Sequence, residues 1–107
     1  MLDQISVVII TRNAAATLAD TLESTRSFAE VVVYDNGSDD ATMQIAQAYE
    51  NVSLHQGEFM GFGPTKNHAI SLARNDWVLS LDADEEVSSE LRQFLEHWKP
   101  KSDDCVG

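Results

Sequence analysis

Four short apolar runs alternate with segments of helical periodicity, and this alternation restricts the folds that the chain can adopt. The runs have the length of β-strands and lie at residues 5–10, 31–34, 52–55 and 77–81. The first two are rich in β-branched residues, as is usual for parallel strands that are covered on both faces. Strands and helices that alternate in this way form βαβ units. The sequence therefore predicts an α/β protein with a mostly parallel, Rossmann-like sheet.

Each run is followed by a segment that predicts a helix, because its apolar residues recur at helical spacing. The predicted apolar faces are Leu18, Leu22 and Thr25 in the first helix, Ala41, Ile45, Ala48 and Tyr49 in the second, and Leu91, Phe94, Leu95 and Trp98 in the fourth. The third helix is predicted from Pro64 or Thr65 to Ala73, since proline suits the first turn. The fourth is predicted to begin near Ser88 and to stop at Pro100. We expect one domain at residues 1–100 and a flexible tail at 101–107.

Acidic residues outnumber basic ones by eighteen to seven, which gives a net charge of −11. This charge argues against nucleic acid or an anionic membrane surface as a partner. A site for an anionic ligand would therefore need a cation from outside the side chains. No apolar run approaches the ~18 residues of a membrane span. The single cysteine, Cys105, cannot form an internal disulfide, and we expect a cytoplasmic protein without a membrane span.

Polar residues follow three of the predicted strands at the point where each strand ends. The first strand is followed by Thr11, Arg12 and Asn13, the second by residues 35–40, and the fourth by residues 82–85. Ligands of open parallel sheets bind outside the carboxyl ends of the strands. Adjacent strands lie only ~4.8 Å apart, so we expect the three exits to form one site.

Asp82 and Asp84 are two residues apart at the end of the fourth strand, so both carboxylates can face the predicted crevice. Their hard oxygen ligands suit Mg²⁺ or Mn²⁺. A divalent ion would allow an acidic site to accept a diphosphate, because it offsets the phosphate charge. The bare Asp-x-Asp pattern is also typical of a solvated acidic turn that caps the next helix.

Asp35 directly follows the second strand, where its carboxylate is placed to accept hydrogen bonds from a nucleoside base or ribose. The alternative is a turn residue that caps the following helix, and the two roles can coexist. Ser38, Asp39 or Asp40 is the expected helix cap, which leaves Asp35 free for a ligand.

Lys66 follows two glycines and lies in the first turn of the predicted third helix, where it could reach a phosphate. The segment matches neither the P-loop nor the dinucleotide-binding pattern. A loop with a solvated lysine is the alternative interpretation.

Taken together, the segments 6–13, 33–42 and 81–85 resemble the three hallmark segments of family 2 glycosyltransferases, which have the GT-A fold. The resemblance extends over nearly the whole chain and includes the order and spacing of the segments. It implies that Thr11, Arg12 and Asn13 line a nucleoside pocket and that Asp35 forms a hydrogen bond to the base. It also implies that Lys66 lies near the phosphates. Asp82 would approach the ribose or the water shell of the metal, and Asp84 would bind Mg²⁺ or Mn²⁺.

The resemblance also implies an activity, namely transfer of a sugar from a nucleoside diphosphate sugar to a glycan or lipid-linked acceptor. The expected donor is a UDP-sugar, and the transfer is expected to invert the anomeric centre. The segments 61–67 and 77–85 are similar to those of bacterial transferases that build the lipopolysaccharide core, so the full-length protein is expected at the inner face of the membrane. Family members are much longer, and their general base lies in the later half. We therefore assign no catalytic base and expect this chain to be a fragment.

Two other classes remain open at this point. A non-catalytic module that binds a nucleotide sugar would fit the absence of a general base. A phosphatase of the haloacid dehalogenase type also places Asp-x-Asp after a strand, but that family requires Thr or Val where this chain has Glu86, and it places the motif after the first strand.

Overall fold

The computed structural model describes residues 2–97. Its strands are β1 (Ile5–Thr11), β2 (Glu30–Asp35), β3 (Val52–Gln56) and β4 (Trp77–Asp82). Its α-helices are α1 (Leu18–Ser24), α2 (Thr42–Gln47), α3 (Phe62–Ser71) and α4 (Ser89–His97), and a short 3-10 helix at Leu2–Gln4 precedes β1. The strict alternation of strand and helix confirms the predicted α/β class.

The four strands form one parallel sheet in the order β3-β2-β1-β4. From β1 the chain adds β2 and β3 on one side, and β4 then pairs with the opposite side of β1. The strand order thus reverses between β1 and β4. Open parallel sheets bind ligands at such a reversal, outside the carboxyl ends of the strands.

Alternate residues of the central strands enter two separate apolar cores, as the two-residue period of a strand requires. Val7 and Ile9 of β1 join the larger core, which includes buried residues of α1, α2 and α4. Val8 joins the smaller core, whose helical contribution centres on Ala69 of α3. Three helices therefore cover one face of the sheet, and α3 covers the other. Within residues 2–97, no helix is both long enough and apolar enough to cross a bilayer.

The predicted bounds of the third helix are wrong, because α3 extends from Phe62 to Ser71. Gly61, at φ 98°, provides the bend from which the helix starts, a conformation that glycine adopts readily. Pro64 still lies in the first turn, where its missing N–H costs no helical hydrogen bond.

Two of the predicted apolar faces are also partly wrong. In α2, Ala41 and Ala48 are exposed, and the buried side chains are Thr42 and Ala46, because the Thr42 hydroxyl is drawn inward by the backbone N–H of Ala14. In α4, Leu95 is buried, whereas Leu91 and Phe94 are exposed because neither belongs to the core that Leu95 enters.

The predicted start of the fourth helix is confirmed, since the Leu91 N–H donates to Ser88 Oγ at 3.1 Å. Trp98, Pro100 and the predicted tail at 101–107 lie outside the described residues.

Candidate functional site

Two adjacent cavities open at the reversal point between β1 and β4, and they share Ile10, Phe59 and Phe62. One cavity of about 200 Å³ is lined in addition by Lys66, Ser80, Leu81 and Asp82. The other, of about 300 Å³, is lined in addition by Thr11, Arg12 and Asn36. We call them the lysine half and the asparagine half of one switch-point cleft.

The structure brings four of the predicted site residues to this cleft, namely Thr11, Arg12, Lys66 and Asp82. Lys66 comes from the second turn of α3, not from the first turn as predicted, and Asp82 comes from the end of β4. The other predicted residues, Asn13, Asp35 and Asp84, lie in the neighbouring loops and strand ends, outside the lining of the two halves.

Asp35 is fully buried, and its carboxylate accepts four hydrogen bonds. Thr11 Oγ1 and Ser38 Oγ donate to Oδ1 at 2.7 and 2.6 Å, and the N–H groups of Gly37 and Ser38 donate to Oδ2 at 3.0 and 2.8 Å. In this structure the Asp35 carboxylate is therefore occupied by groups of the protein itself, and its contact with a nucleoside base stays a prediction. The chain turns sharply after β2, with Gly37 at φ 102°, and this turn brings the N–H groups of Gly37 and Ser38 to the carboxylate.

The ionised form of Asp35 is stabilised by this arrangement. Burial alone would raise the pKa of Asp35, but the hydrogen bonds from Ser38, Thr11 and Gly37 outweigh burial and hold the pKa below its ordinary value. Asp35 thus acts within the protein as the link between the ends of β1 and β2.

Asn13 extends the same link between the two loops. Its N–H donates to Ser38 Oγ at 2.8 Å, and its Oδ1 accepts from the Asp39 N–H at 2.7 Å. Asn13 has a φ of 51°, a left-handed conformation that asparagine tolerates better than most residues. These bonds hold the loop that includes Arg12 against the loop that includes Asn36.

Asp82 and Asp84 are both exposed at the end of β4. No group of three or more acidic, histidine or cysteine side chains within the described part of the chain is arranged to hold a metal ion. The pair therefore supplies at most two carboxylates. Mg²⁺ is commonly held by one or two carboxylates together with substrate phosphates, so the donor set fits Mg²⁺ or Mn²⁺ when a diphosphate completes it.

The cleft residues that sequence reasoning missed include Asn36, Phe59 and Phe62. Asn36 was not singled out beside the neighbouring acid, Asp35. The signal that could have identified it is its position directly after β2. The signal for the aromatic residues is their position in the glycine-containing segment between the third strand and the predicted third helix, where no predicted strand or helix face needs them. Phe59 and Phe62 pack edge to face with ring centroids 5.2 Å apart, and Phe62 is 86% exposed.

The segment 57–62, which we call the aromatic loop, is held by hydrogen bonds at Glu58 and at Met60. The Tyr34 hydroxyl donates to the carbonyl of Glu58 at 3.2 Å, and the Met60 N–H donates to Thr65 Oγ1 at 2.7 Å. The two exposed phenyl rings are thus held over the cleft by buried residues of β2 and α3.

Residues 6–107 match the sequence model of the family described as Glycosyl transferase family 2. The chain belongs to this family. As a family 2 glycosyltransferase sequence, it shares its fold with solved structures of the GT-A type. The S. aureus protein TarS 1-349, solved in complex with UDP, aligns with a TM-score of 0.73 and 30% identity, over 88% of this chain and 32% of that chain.

Curated relatives agree with the family assignment. An uncharacterized glycosyltransferase of Rickettsia felis is 38% identical over 97 residues, which is 90% of this chain and 34% of that protein. The lipopolysaccharide core biosynthesis glycosyltransferase LpsC of Rhizobium meliloti is 31% identical over 107 residues, which is 96% of this chain and 40% of that protein. The family 2 chain described here thus spans about a third of the length of the first of these relatives and two fifths of the second.

Proposed function

We propose that the chain forms the nucleotide-sugar site of a glycosyltransferase that transfers a sugar from a nucleoside diphosphate, with Mg²⁺ or Mn²⁺, to a glycan or lipid-linked acceptor. The observation that supports this most directly is the switch-point cleft. It combines a cation and a carboxylate, Lys66 and Asp82, with an apolar, amide-lined half beside them. A nucleoside diphosphate has the matching division into an anionic part and a flat, largely apolar base.

The asparagine half is proposed to hold the nucleoside. Asn36 has an amide that can both donate to and accept from the edge of a base. Its Nδ2 donates to the carbonyl of Gly57 at 3.3 Å, which leaves Oδ1 and one N–H for a ligand. Phe62 offers an exposed aromatic face, and Arg12 offers a planar guanidinium. The similarity to TarS, which was solved in complex with UDP, supports a uridine nucleotide.

The lysine half is proposed to hold the diphosphate. Lys66 can contact a phosphate oxygen directly, and Asp82 and Asp84 would hold the divalent ion. When bound, the ion offsets the phosphate charge and stabilises the departing nucleoside diphosphate. A chain with a net charge of −11 needs such a cation to bind a diphosphate beside two aspartates.

We also propose a lipopolysaccharide core acceptor and an inverting reaction. The 31% identity to LpsC of Rhizobium meliloti supports this acceptor class. In that role the full-length protein would work at the inner face of the membrane. No general base is assigned, because no residue of the sequence matches the base of the family.

Calorimetric titration of the chain with UDP, with and without Mn²⁺, tests the site. We expect Mn²⁺ to strengthen binding of UDP, and Asp82→Asn and Asp84→Asn to remove that gain. Asp76→Asn is the matched control, since Asp76 is an exposed acid that precedes the opposite end of β4. Binding that is absent for UDP, GDP, ADP and CDP alike, or that ignores Mn²⁺, would contradict the proposal.

A further inference from the structure

Three hydroxyl side chains form a row along α1 and bond to the segment that follows β4. Thr17, Thr21 and Ser24 are spaced at i, i+4 and i+7, so they lie on one side of the helix. Thr17 Oγ1 and Thr21 Oγ1 each donate to the carbonyl of Ala83 at 3.0 Å. Ser24 Oγ accepts from the Val87 N–H at 2.9 Å. We call these three residues the hydroxyl row.

The bonds hold the acidic turn, residues 82–86, at both of its ends. Ala83 lies between the two aspartates of the pair, and Val87, which is buried in the larger core, directly follows the turn. The side chains of Asp84, Glu85 and Glu86 are exposed between these two fixed points. The direction of the Asp82 and Asp84 carboxylates therefore depends on a carbonyl that α1 holds in place.

Packing alone does not explain the hydroxyl at position 21. Thr21 is fully buried beside Leu18 and Leu22, where a valine of the same shape would fill the space. Its hydroxyl is 3.4 Å from the Thr17 carbonyl within the helix, but its shorter bond, at 3.0 Å, goes to the carbonyl of Ala83, a residue 62 positions away. A side chain at this position thus has a polar partner in the acidic turn as well as an apolar environment.

We propose that the hydroxyl row is the positioning element of the acidic turn and sets its affinity for a divalent cation in the presence of a nucleoside diphosphate. The inference rests on the proposed function, since it concerns the same carboxylates. Groups that orient metal ligands without touching the metal typically change metal affinity by about 10- to 100-fold when they are removed. Neither threonine is proposed to contact the ligand, so both are positioning residues.

The experiment compares Thr17→Val/Thr21→Val with the wild-type chain in titrations of Mn²⁺ at saturating UDP, followed by the electron paramagnetic resonance signal of free Mn²⁺. We expect the double variant to bind Mn²⁺ about 10- to 100-fold more weakly. UDP affinity measured without metal should stay unchanged, because the asparagine half is untouched. Thr21→Ser, which keeps the hydroxyl, should restore most of the affinity when combined with wild-type Thr17.

Thr25→Val is the matched control, because Thr25 is also fully buried at the end of α1, but its hydroxyl bonds to carbonyls of Thr21 and Leu22 within the helix. It should lose thermal stability without losing Mn²⁺ affinity. If the double variant does not fold, the exposed Thr17→Val single variant should still weaken Mn²⁺ binding.

Wild-type Mn²⁺ affinity in Thr17→Val and in the double variant would overturn the inference and leave the proposed function standing, and so would an equal loss in Thr25→Val. Failure of the wild-type chain to bind Mn²⁺ with UDP would instead overturn the proposed function.

Discussion

Thr11 Oγ1 donates a hydrogen bond of 2.7 Å to Asp35 Oδ1 where β1 and β2 end side by side. The two residues are direct partners in the parallel register of these strands. Both are buried, and the Asn36 N–H also donates to the carbonyl of Thr11 at 2.9 Å. The two strand ends that border the asparagine half are therefore fixed to each other.

Replacement of Asp35 by alanine should destabilise the chain strongly. The change leaves the hydroxyls of Thr11 and Ser38 and two backbone N–H groups without their acceptor in a buried place. We expect a loss of about 3 kcal/mol in the free energy of unfolding, measured by urea denaturation. Asp39→Ala, at an exposed position of the same loop, should stay within about 0.5 kcal/mol of wild type. Equal losses in the two variants would contradict the role given to Asp35.

The stability of the chain should fall in acid partly because of Asp35. Its pKa is held below the ordinary value of 3.8, so the unfolded chain takes up the proton first. The contribution of Asp35 is therefore complete above about pH 4 and is lost as the pH falls further. Urea unfolding from about pH 6 down to about pH 3 should show a shallower loss for Asp35→Asn than for wild type. Parallel curves for the two proteins would refute this assignment.

Phe62→Ala should weaken nucleotide binding and leave stability nearly unchanged, because the side chain is 86% exposed and lines both halves of the cleft. Stacking of a base on an aromatic ring contributes ~1–3 kcal/mol, so the dissociation constant of UDP should rise by about tenfold. Phe94→Ala is the control, as Phe94 is 63% exposed on α4 and lines neither half. Calorimetry and thermal melting of both variants check the prediction; unchanged UDP affinity in Phe62→Ala would count against a stacked base.

Gly57→Ala should disturb the aromatic loop through Tyr34. A Cβ at position 57 would lie 2.7 Å from Tyr34 Cζ and closer still to its hydroxyl oxygen. The buried Tyr34 ring would have to shift, and the overpacking should cost about 1–3 kcal/mol of unfolding free energy and lower UDP affinity. Gly63→Ala faces open space within α3 and should be neutral or stabilising by roughly 0.5–1 kcal/mol. Wild-type stability of the Gly57→Ala chain would contradict the prediction, since it would show that the Tyr34 ring can shift without a loss of free energy.

Local sequence patterns were sufficient to predict the sheet and the edge at which the candidate site lies. The β-branched runs specify β1 and β2, and polar residues at the strand exits indicate the ligand edge, since backbone direction alone brings parallel carboxyl ends together. Thr11, Arg12 and Asp82 followed from that geometry, whereas Lys66 followed from its position after two glycines at the start of a predicted helix. The family assignment followed from the combination of three segments and is confirmed by the match over residues 6–107.

The sequence did not predict which of several possible partners a polar side chain bonds to. An acid after a strand can accept hydrogen bonds from a ligand or from its own turn. The Asp35 carboxylate accepts them from the N–H groups of Gly37 and Ser38, because the turn brings these groups within 3.0 Å. Sequence patterns also do not say which hydroxyls of α1 meet the turn after β4, because that contact joins Thr21 to a residue 62 positions away. The roles of Asp35, Asp82 and Asp84 toward a nucleotide or metal remain predictions.

The unequal covering of the two sheet faces makes the two walls of the cleft differ in stiffness. The wall formed by β1 is backed by the larger core, whereas α3, which presents Lys66 and Phe62, is anchored to the sheet by only two fully buried side chains, Thr65 and Ala69. Small side chains form a smooth contact, so α3 is the part that can adjust its distance to a ligand at low cost. Hydrogen exchange should therefore be faster in the amides of α3 than in those of β1, and UDP should slow exchange in α3 most. The site would then bind its ligand between a rigid wall, formed by β1, and an adjustable wall, formed by α3.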